Sequence, residues 1–445
     1  MDKKSFIASG HLPTLIAAFL YFDVSFMVWI IFGPMTPFIA DQIHLTATEK
    51  GLLTAIPLLG GSFFRPLIAL LADRVGGRRA GLIGLSLTLV PLILGWHFAT
   101  SLWQFYSIGF LLGIAGASFA VALPLAGRWY PAEHQGLAMG IAGAGNSGTL
   151  IITFFGPRLA QHLGWHAVFG LALIPVALVL AIFFFMARNS PSMSAPRPWN
   201  KYTQLLAQGD TWRLCFLYSL TFGGFLGLAS FLTVFFHDQY HLTKVQAGDY
   251  TTLVVLSGSF LRPLGGWLSD KIGGYRLLLG LFTGVAIALM IISSLPPLAV
   301  VIPMLFLSMG MLGMGNGAVF QMVPQRFFSD IELITGIVGA AGGLGGFFLP
   351  SALGALKDAF GSYGTGLLCF ALLIAASVLL TLEFGVKWQN TWTSTALSRT
   401  KVFSYRGSQA SSPESLSPCQ IDAGAPSLIS SIDQGWSKAG TQKRE

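Results

Sequence analysis

Only 10% of the 445 residues carry charge, while 53% are hydrophobic and the mean hydropathy is +0.67. Soluble domains hold about 25% charged residues, so a chain wetted over its whole surface is excluded. Cysteine is nearly missing. Cys215, Cys369 and Cys419 are far apart and uneven in number, which removes a disulfide framework and metal-ligand spacing and leaves them as packing residues. No His/Asp/Glu cluster and no nucleophile beside a base falls in the apolar segments, which argues against an enzyme. The excess of 26 Lys and Arg over 18 Asp and Glu is no nucleic-acid footprint, because the basic residues gather at the ends of apolar segments. Neither a metal nor a cofactor is expected.

What the chain has instead is long apolar stretches of about 20 residues, the length that crosses roughly 30 Å of hydrocarbon as helix. Twelve lie near 12–39, 51–72, 80–99, 102–127, 135–160, 165–187, 212–236, 247–269, 275–296, 299–323, 332–356 and 363–386. The first is too long for a signal-peptide core and lacks a small-residue cleavage site after it, so it reads as a retained span. Sorted by alternate loops, twenty Lys and Arg fall on the side of both termini, and only Lys50, Arg158, Lys244 and Lys357 fall opposite. The positive-inside rule then places both termini in the cytoplasm of a multi-pass protein of the cell (inner) membrane.

Residues 61–79, GSFFRPLIALLADRVGGRR, return at 258–276 as GSFLRPLGGWLSDKIGGYR, with eleven of nineteen positions identical. The repeat divides the chain into an N-terminal six-helix half (1–186) and a C-terminal one (212–386), parallel copies that make a transporter with a site between them. A Pro- and Ser-rich cytoplasmic linker (187–211) joins them. After residue 387 the composition turns to Ser, Thr, Gln and Gly, too polar to offset its ordering entropy, and predicts a disordered cytoplasmic tail.

Each copy carries an arginine, Arg65 or Arg262, eight residues before the Asp (Asp73, Asp270) that opens the following loop. Eight residues are about 12 Å of helix, which puts each guanidinium near the midplane. A central arginine costs about 2.5–3.5 kcal/mol on insertion scales, so it calls for a partner. Of the acidic residues only Asp23 clearly lies in hydrocarbon; Asp249 and Glu383 sit near span ends. One carboxylate cannot neutralise two symmetry-related cations, so an anion from outside the protein is the expected partner. The guanidinium fork suits a small oxyanion bidentately, as a lysine would not.

In the loops DRVGGRR and DKIGGYR the Gly pairs permit a tight turn, and Asp73, Arg74, Arg78, Arg79, Asp270, Lys271 and Arg276 read as a cytoplasmic gate and anchor. Glycine is dense in span five (GLAMGIAGAGNSGT) and span eleven (TGIVGAAGGLGGFFLP), where small residues let helices approach and slide. Asn146 is a buried amide in that glycine face and needs partners; spacing leaves open whether it joins the site. Phe119 and Phe320 fall at similar points of the two halves and could wall off a planar ligand.

These residues resemble the major facilitator superfamily. The general likeness rests on ADRVGGRR and SDKIGGYR, although Ala69 stands where the superfamily pattern prefers Gly and only the second copy keeps Gly266. FRP and LRP in spans two and eight, AGAGNSGT, GAAGGLGG and FLYSLTFGGFLGLASF carry a closer resemblance, over roughly residues 15–386, to the nitrate/nitrite porter family. It implies an all-α membrane protein of twelve helices that moves nitrate and nitrite, small anions clamped by Arg65 and Arg262. It further implies Asn146 and Tyr218 as hydrogen-bond donors, and Phe119, Phe222 and Phe320 as rings flanking the anion.

Exchange of nitrate for nitrite and proton-coupled uptake are both compatible with this reading. Asp23 is the candidate for the proton, because a carboxyl in low dielectric has its charged form disfavoured; a fixed ion pair or packing contact is the alternative. A carrier of a larger organic or phosphorylated anion would need more donors and a larger cavity than glycine and bulky Phe provide. A membrane anion sensor would need a docking motif or folded tail, and neither is visible. The expected unit is a monomer in the bilayer.

Overall fold

The structure is a computed structural model describing residues 6, 9–191, 199–327 and 330–409, all helix and connecting turns with no strand among them. Eleven of these helices are long and apolar enough to cross a membrane: Leu12–Ile43, Ala47–Val75, Gly77–His97, Leu102–Gly127, Leu137–Leu163, Trp165–Met186, Gly209–Tyr240, Gly274–Ser293, Leu298–Val323, Leu333–Phe360 and Tyr363–Gly385. Each matches one of the twelve expected spans, with ends shifted by about one helical turn at most.

The eighth span is made of two helices, Lys244–Phe260 and Arg262–Ile272, separated at Leu261. Pro263 explains the break, since it has no N–H to return to the preceding turn. The matching Pro66 lies inside one continuous helix, Ala47–Val75. The two copies of the repeat therefore differ where they matter: Arg65 sits in mid-helix and Arg262 opens a new one. Local signals fix the other ends of these spans. Thr46 with Glu49, and Thr243 with Gln246, form capping boxes at the starts of spans two and eight. Gly76 and Gly273 turn the chain into spans three and nine at φ 86° and 89°, which only glycine adopts without strain.

Spans two and eleven run along each other, as do spans five and eight and spans one and seven, so the halves meet on three seams. A Cβ on Gly51 would lie 2.5 Å from the Pro350 carbonyl oxygen, and one on Gly354 would lie 2.3 Å from that of Ala47. The backbones of spans two and eleven thus touch at the end remote from the repeated loops. Span seven is the most deeply enclosed helix, buried over nearly its whole length.

Cys215 is buried in span seven, as a packing residue should be, whereas Cys369 is exposed on the outer surface of span twelve; Cys419 lies outside the described residues. The final helix runs from Tyr363 to Gln409, beyond residue 387 where the sequence predicts the start of a tail. Residues 410–445 of that tail and 192–198 of the linker lie outside the described residues. The linker after Arg197 contains a short helix, Trp199–Leu206.

Candidate functional site

Arg65 is 1% exposed, in the middle of span two. Its Nε donates to the Gly116 carbonyl of span four at 3.1 Å, and Nη1 donates to the Gly339 carbonyl of span eleven, in the opposite half. Nη2 is buried without a partner. Three rings surround the guanidinium carbon, those of Trp29 at 5.2 Å and of Phe119 and Phe222 at 5.4 Å. Carbonyl dipoles and ring faces thus hold this charge. Neither Arg65 nor Arg262 has an ion-pair partner among the described residues.

Arg262 is half-buried at the first turn of Arg262–Ile272, with its guanidinium 5.8 Å from the Phe320 ring and Nη1 buried without a partner. Tyr218 is 1% exposed in span seven. The Tyr218 ring stacks on Phe222 at 5.0 Å and meets Phe320 edge-on at 4.8 Å; Phe320 in turn lies 5.7 Å from Phe119. Six of the residues picked from the sequence are therefore one cluster, drawn from both halves. It presents guanidinium N–H groups between aromatic walls, with each cation lying against a ring of the cluster.

Asn146 lies in a 3-10 turn, Ala144–Ser147, that interrupts span five. It is 1% exposed, and both its amide nitrogen and its oxygen are buried without partners. Asp23, half-buried in span one, accepts a 2.6 Å hydrogen bond from Ser147 Oγ next door. A Cβ on Gly148 would meet the Asp23 carbonyl oxygen at 1.9 Å, so spans one and five touch backbone to backbone there. Asp23 and Ser147, the latter next to Asn146 in sequence, lie near one edge of the cluster: the Phe22 ring beside Asp23 is 5.7 Å from Phe119.

The residues of the repeated loops stay apart from the cluster. Arg78 binds within its own half, its backbone N–H to Asn189 Oδ1 and its Nη2 to the Phe184 carbonyl. Asp270 accepts from Gln321 Nε2 at 2.8 Å, again within its half, and Lys271 lies 3.9 Å over the Trp267 ring. Arg276 contacts Tyr275 next to it, Arg74 and Arg79 are exposed, and Asp73 is half-buried. Asp73 lines a cavity of about 340 Å³ between spans two, four and eleven and the linker helix, which reaches Pro66 beside Arg65 and Ala340 beside Gly339.

At the opposite end, polar contacts cross between the halves. Lys50 pairs with Asp238 at 2.7 Å, Arg158 grips both oxygens of Asp249, and Lys244 pairs with Asp41. Asp358 accepts the backbone N–H groups of Ala47 and Thr48. The molecule is thus closed at this end and hollow at the end of the repeated loops.

Sequence reasoning missed two parts of the site and one polar centre away from it. Trp29 is an ordinary-looking aromatic in a span, and only its two glycine neighbours in space, Gly61 and Gly116, betray it. The Gly116 and Gly339 carbonyls are backbone and have no sequence signal. Asp210, which holds Arg213, Arg326 and Trp388 together at the repeated-loop end of the C-terminal half, looks in sequence like a helix-start acid.

Residues 17–350 match the Major Facilitator Superfamily. The chain is 32% identical to the "Nitrite extrusion protein" of Bacillus subtilis over 392 residues, 86% of this chain and 95% of that protein. It is 33% identical to the "Probable nitrate/nitrite transporter NarK2" of Mycobacterium tuberculosis, over 83% of this chain and 95% of the relative. In shape it resembles a bacterial homologue of the human lysosomal transporter Spinster, crystallised in an inward-facing and occupied conformation. The TM-score is 0.63 at 19% identity, covering 85% of this chain and 97% of that one. The chain therefore belongs to the Major Facilitator Superfamily and, within it, to the nitrate/nitrite porter family, and is a membrane transporter of two six-helix halves.

Proposed function

We propose that this protein carries nitrate and nitrite across the cell membrane by alternating access, with Arg65 and Arg262 clamping the anion between the halves. The observation that carries the reading is the pair of guanidiniums in the spans, one from each half, without a carboxylate partner among the described residues and each with a buried N–H-bearing nitrogen left over. A small planar oxyanion accepts such donors bidentately, and Tyr218 and Asn146 add a hydroxyl and an amide. The names of both relatives agree with this substrate class.

The mechanism follows from the charges. Two guanidiniums facing each other repel, and a monovalent anion between them reverses that sign, so the halves close around a bound anion more readily than around none. Phe119, Phe222 and Phe320 exclude water and strengthen each N–H contact. With the basic loops in the cytoplasm, the hollow end faces inward, and the loop residues from Asp73 to Arg79 and from Asp270 to Arg276 gate it. Slow return of the anion-free carrier gives exchange; a proton taken up at Asp23 would permit net uptake.

Purified protein in liposomes loaded with nitrate and bathed in labelled nitrite tests this. Exchange should be fast with either anion and absent with lactate or a phosphate ester. R65K and R262K keep the charge and lose the fork, and each should lower exchange at least about 100-fold in protein that elutes and unfolds like the parent. Full exchange in both variants removes the clamp.

A further inference from the structure

Arg65 is surrounded by contacts of two kinds. Gly339 and Phe222 belong to the C-terminal half, so their hold on the guanidinium changes whenever the halves rock. Trp29 belongs to the same half as Arg65. Its indole is fully buried, and Nε1 donates to the Pro57 carbonyl of span two at 2.6 Å. The Phe26 ring meets it edge-on at 5.1 Å. A Cβ on Gly61 would come within 2.4 Å of the indole and one on Gly116 within 2.2 Å, so both glycines make room for this ring. Gly116 also supplies the carbonyl that receives Arg65 Nε. Trp29, Gly116 and Arg65 are thus one unit built from spans one, four and two.

From this we infer that Trp29 is the positioning residue of the substrate clamp: it holds the Arg65 guanidinium in one orientation through the whole transport cycle, whichever side of the membrane the site faces. A tryptophan face is the strongest of the aromatic seats for a cation, and desolvation strengthens it further. A carboxylate in its place would neutralise Arg65 and compete with the anion; the indole steadies the charge and leaves it available. The inference rests on the proposed role of Arg65, and it distinguishes Trp29 from Phe222 and Gly339, whose effects should depend on which side is open.

The test is nitrate/nitrite exchange in liposomes, with the half-saturating nitrate concentration measured separately from the outer and the inner face. W29L should raise it about ten-fold on both faces, with the maximal rate within about two-fold of the parent. W29F keeps a ring but loses the Pro57 contact and should raise it about three-fold on both faces. In an R65K background neither change should weaken residual nitrate binding further, read as protection of the protein against thermal unfolding by added nitrate. Parent-like half-saturation in W29F overturns the inference even where W29L does not fold, as does an increase confined to one face. Failure of the clamp itself reads differently: R65K would then exchange normally.

Discussion

At the scale of single residues, the site solves a problem of buried charge without carboxylates. An arginine sealed in hydrocarbon needs its N–H groups satisfied. Arg65 receives two carbonyls and three ring faces, which lower the cost of burial yet carry no formal negative charge to compete with a substrate. Asp23 is the exception, and its partner Ser147 adjoins Asn146. On the proposed role of Asp23 in proton coupling, the Ser147 hydrogen bond beside Asn146 is the contact that protonation would affect. D23N should accordingly abolish uptake of nitrate driven by an inward pH gradient while leaving nitrate/nitrite exchange within about two-fold of the parent. The check is one liposome preparation assayed both ways. PH-driven uptake surviving in D23N would assign the Asp23–Ser147 contact to packing alone.

At the scale of elements, the repeat made the two arginines legible in the sequence, because a charge written twice at matching positions in apolar spans stands out from its surroundings. Phe119 and Phe320 stood out by their matching places in the two halves, while Tyr218 and Phe222 came with the family resemblance. What stayed hidden has physical reasons. Trp29 is an aromatic in a membrane span, where such residues are common; the Gly339 carbonyl is backbone; Lys50 and Lys244 served only to count topology, since a loop sequence does not say which acid they will meet. The break at Leu261 was hidden by the repeat itself, because the same Arg-Pro pair runs through unbroken helix at Arg65 and Pro66. It leaves one arginine fixed and the other at a joint between two helix segments. P263A restores the missing N–H and should join Lys244–Phe260 to Arg262–Ile272. Proline is tolerated in a first turn, where Pro263 now stands, and costs about 3 kcal/mol or more only inside a helix, so the variant should unfold at the parent's temperature or slightly above it. Its maximal exchange rate should fall about ten-fold if the joint moves during the cycle. P66A, in a helix already continuous, should change the rate far less, and equal effects from the two would leave the break without a role in transport.

At the scale of the whole molecule, the two ends differ in what holds them. The end of the repeated loops keeps the bonds of Arg78, Asp210 and Asp270 inside their own halves and is hollow. The other end is fastened across the halves by Lys50 to Asp238, which Tyr363 also contacts at 3.0 Å, by Arg158 to Asp249, by Lys244 to Asp41, and by Asp358. Asp358 does more than pair. It comes from the last turn of Leu333–Phe360 and receives the N–H groups of Ala47 and Thr48 together with the Thr48 hydroxyl, so the span-eleven carboxylate caps the positive N-terminus of span two. On the proposed alternating-access cycle this interaction is lost when that end opens, and it therefore weighs directly on the balance between the two transport states. Hydrogen bonds to a charged group contribute about 1.5–3 kcal/mol where they are protected from water, and less at an exposed rim, so D358A should shift the balance by about 1–2 kcal/mol, or roughly ten-fold. A reporter is available in Thr54, which is buried on span two one turn below Gly51. T54C should react with an impermeant maleimide from the outer face of right-side-out vesicles about ten times faster when combined with D358A than alone, and nitrate exchange should slow because the carrier dwells outward-open. An unchanged labelling rate in a folded double variant would mean that the ion pairs alone keep that end shut; R158Q with D358A would then be needed to release it, and labelling that stayed slow even there would show that the glycine contact between spans two and eleven is the true seal.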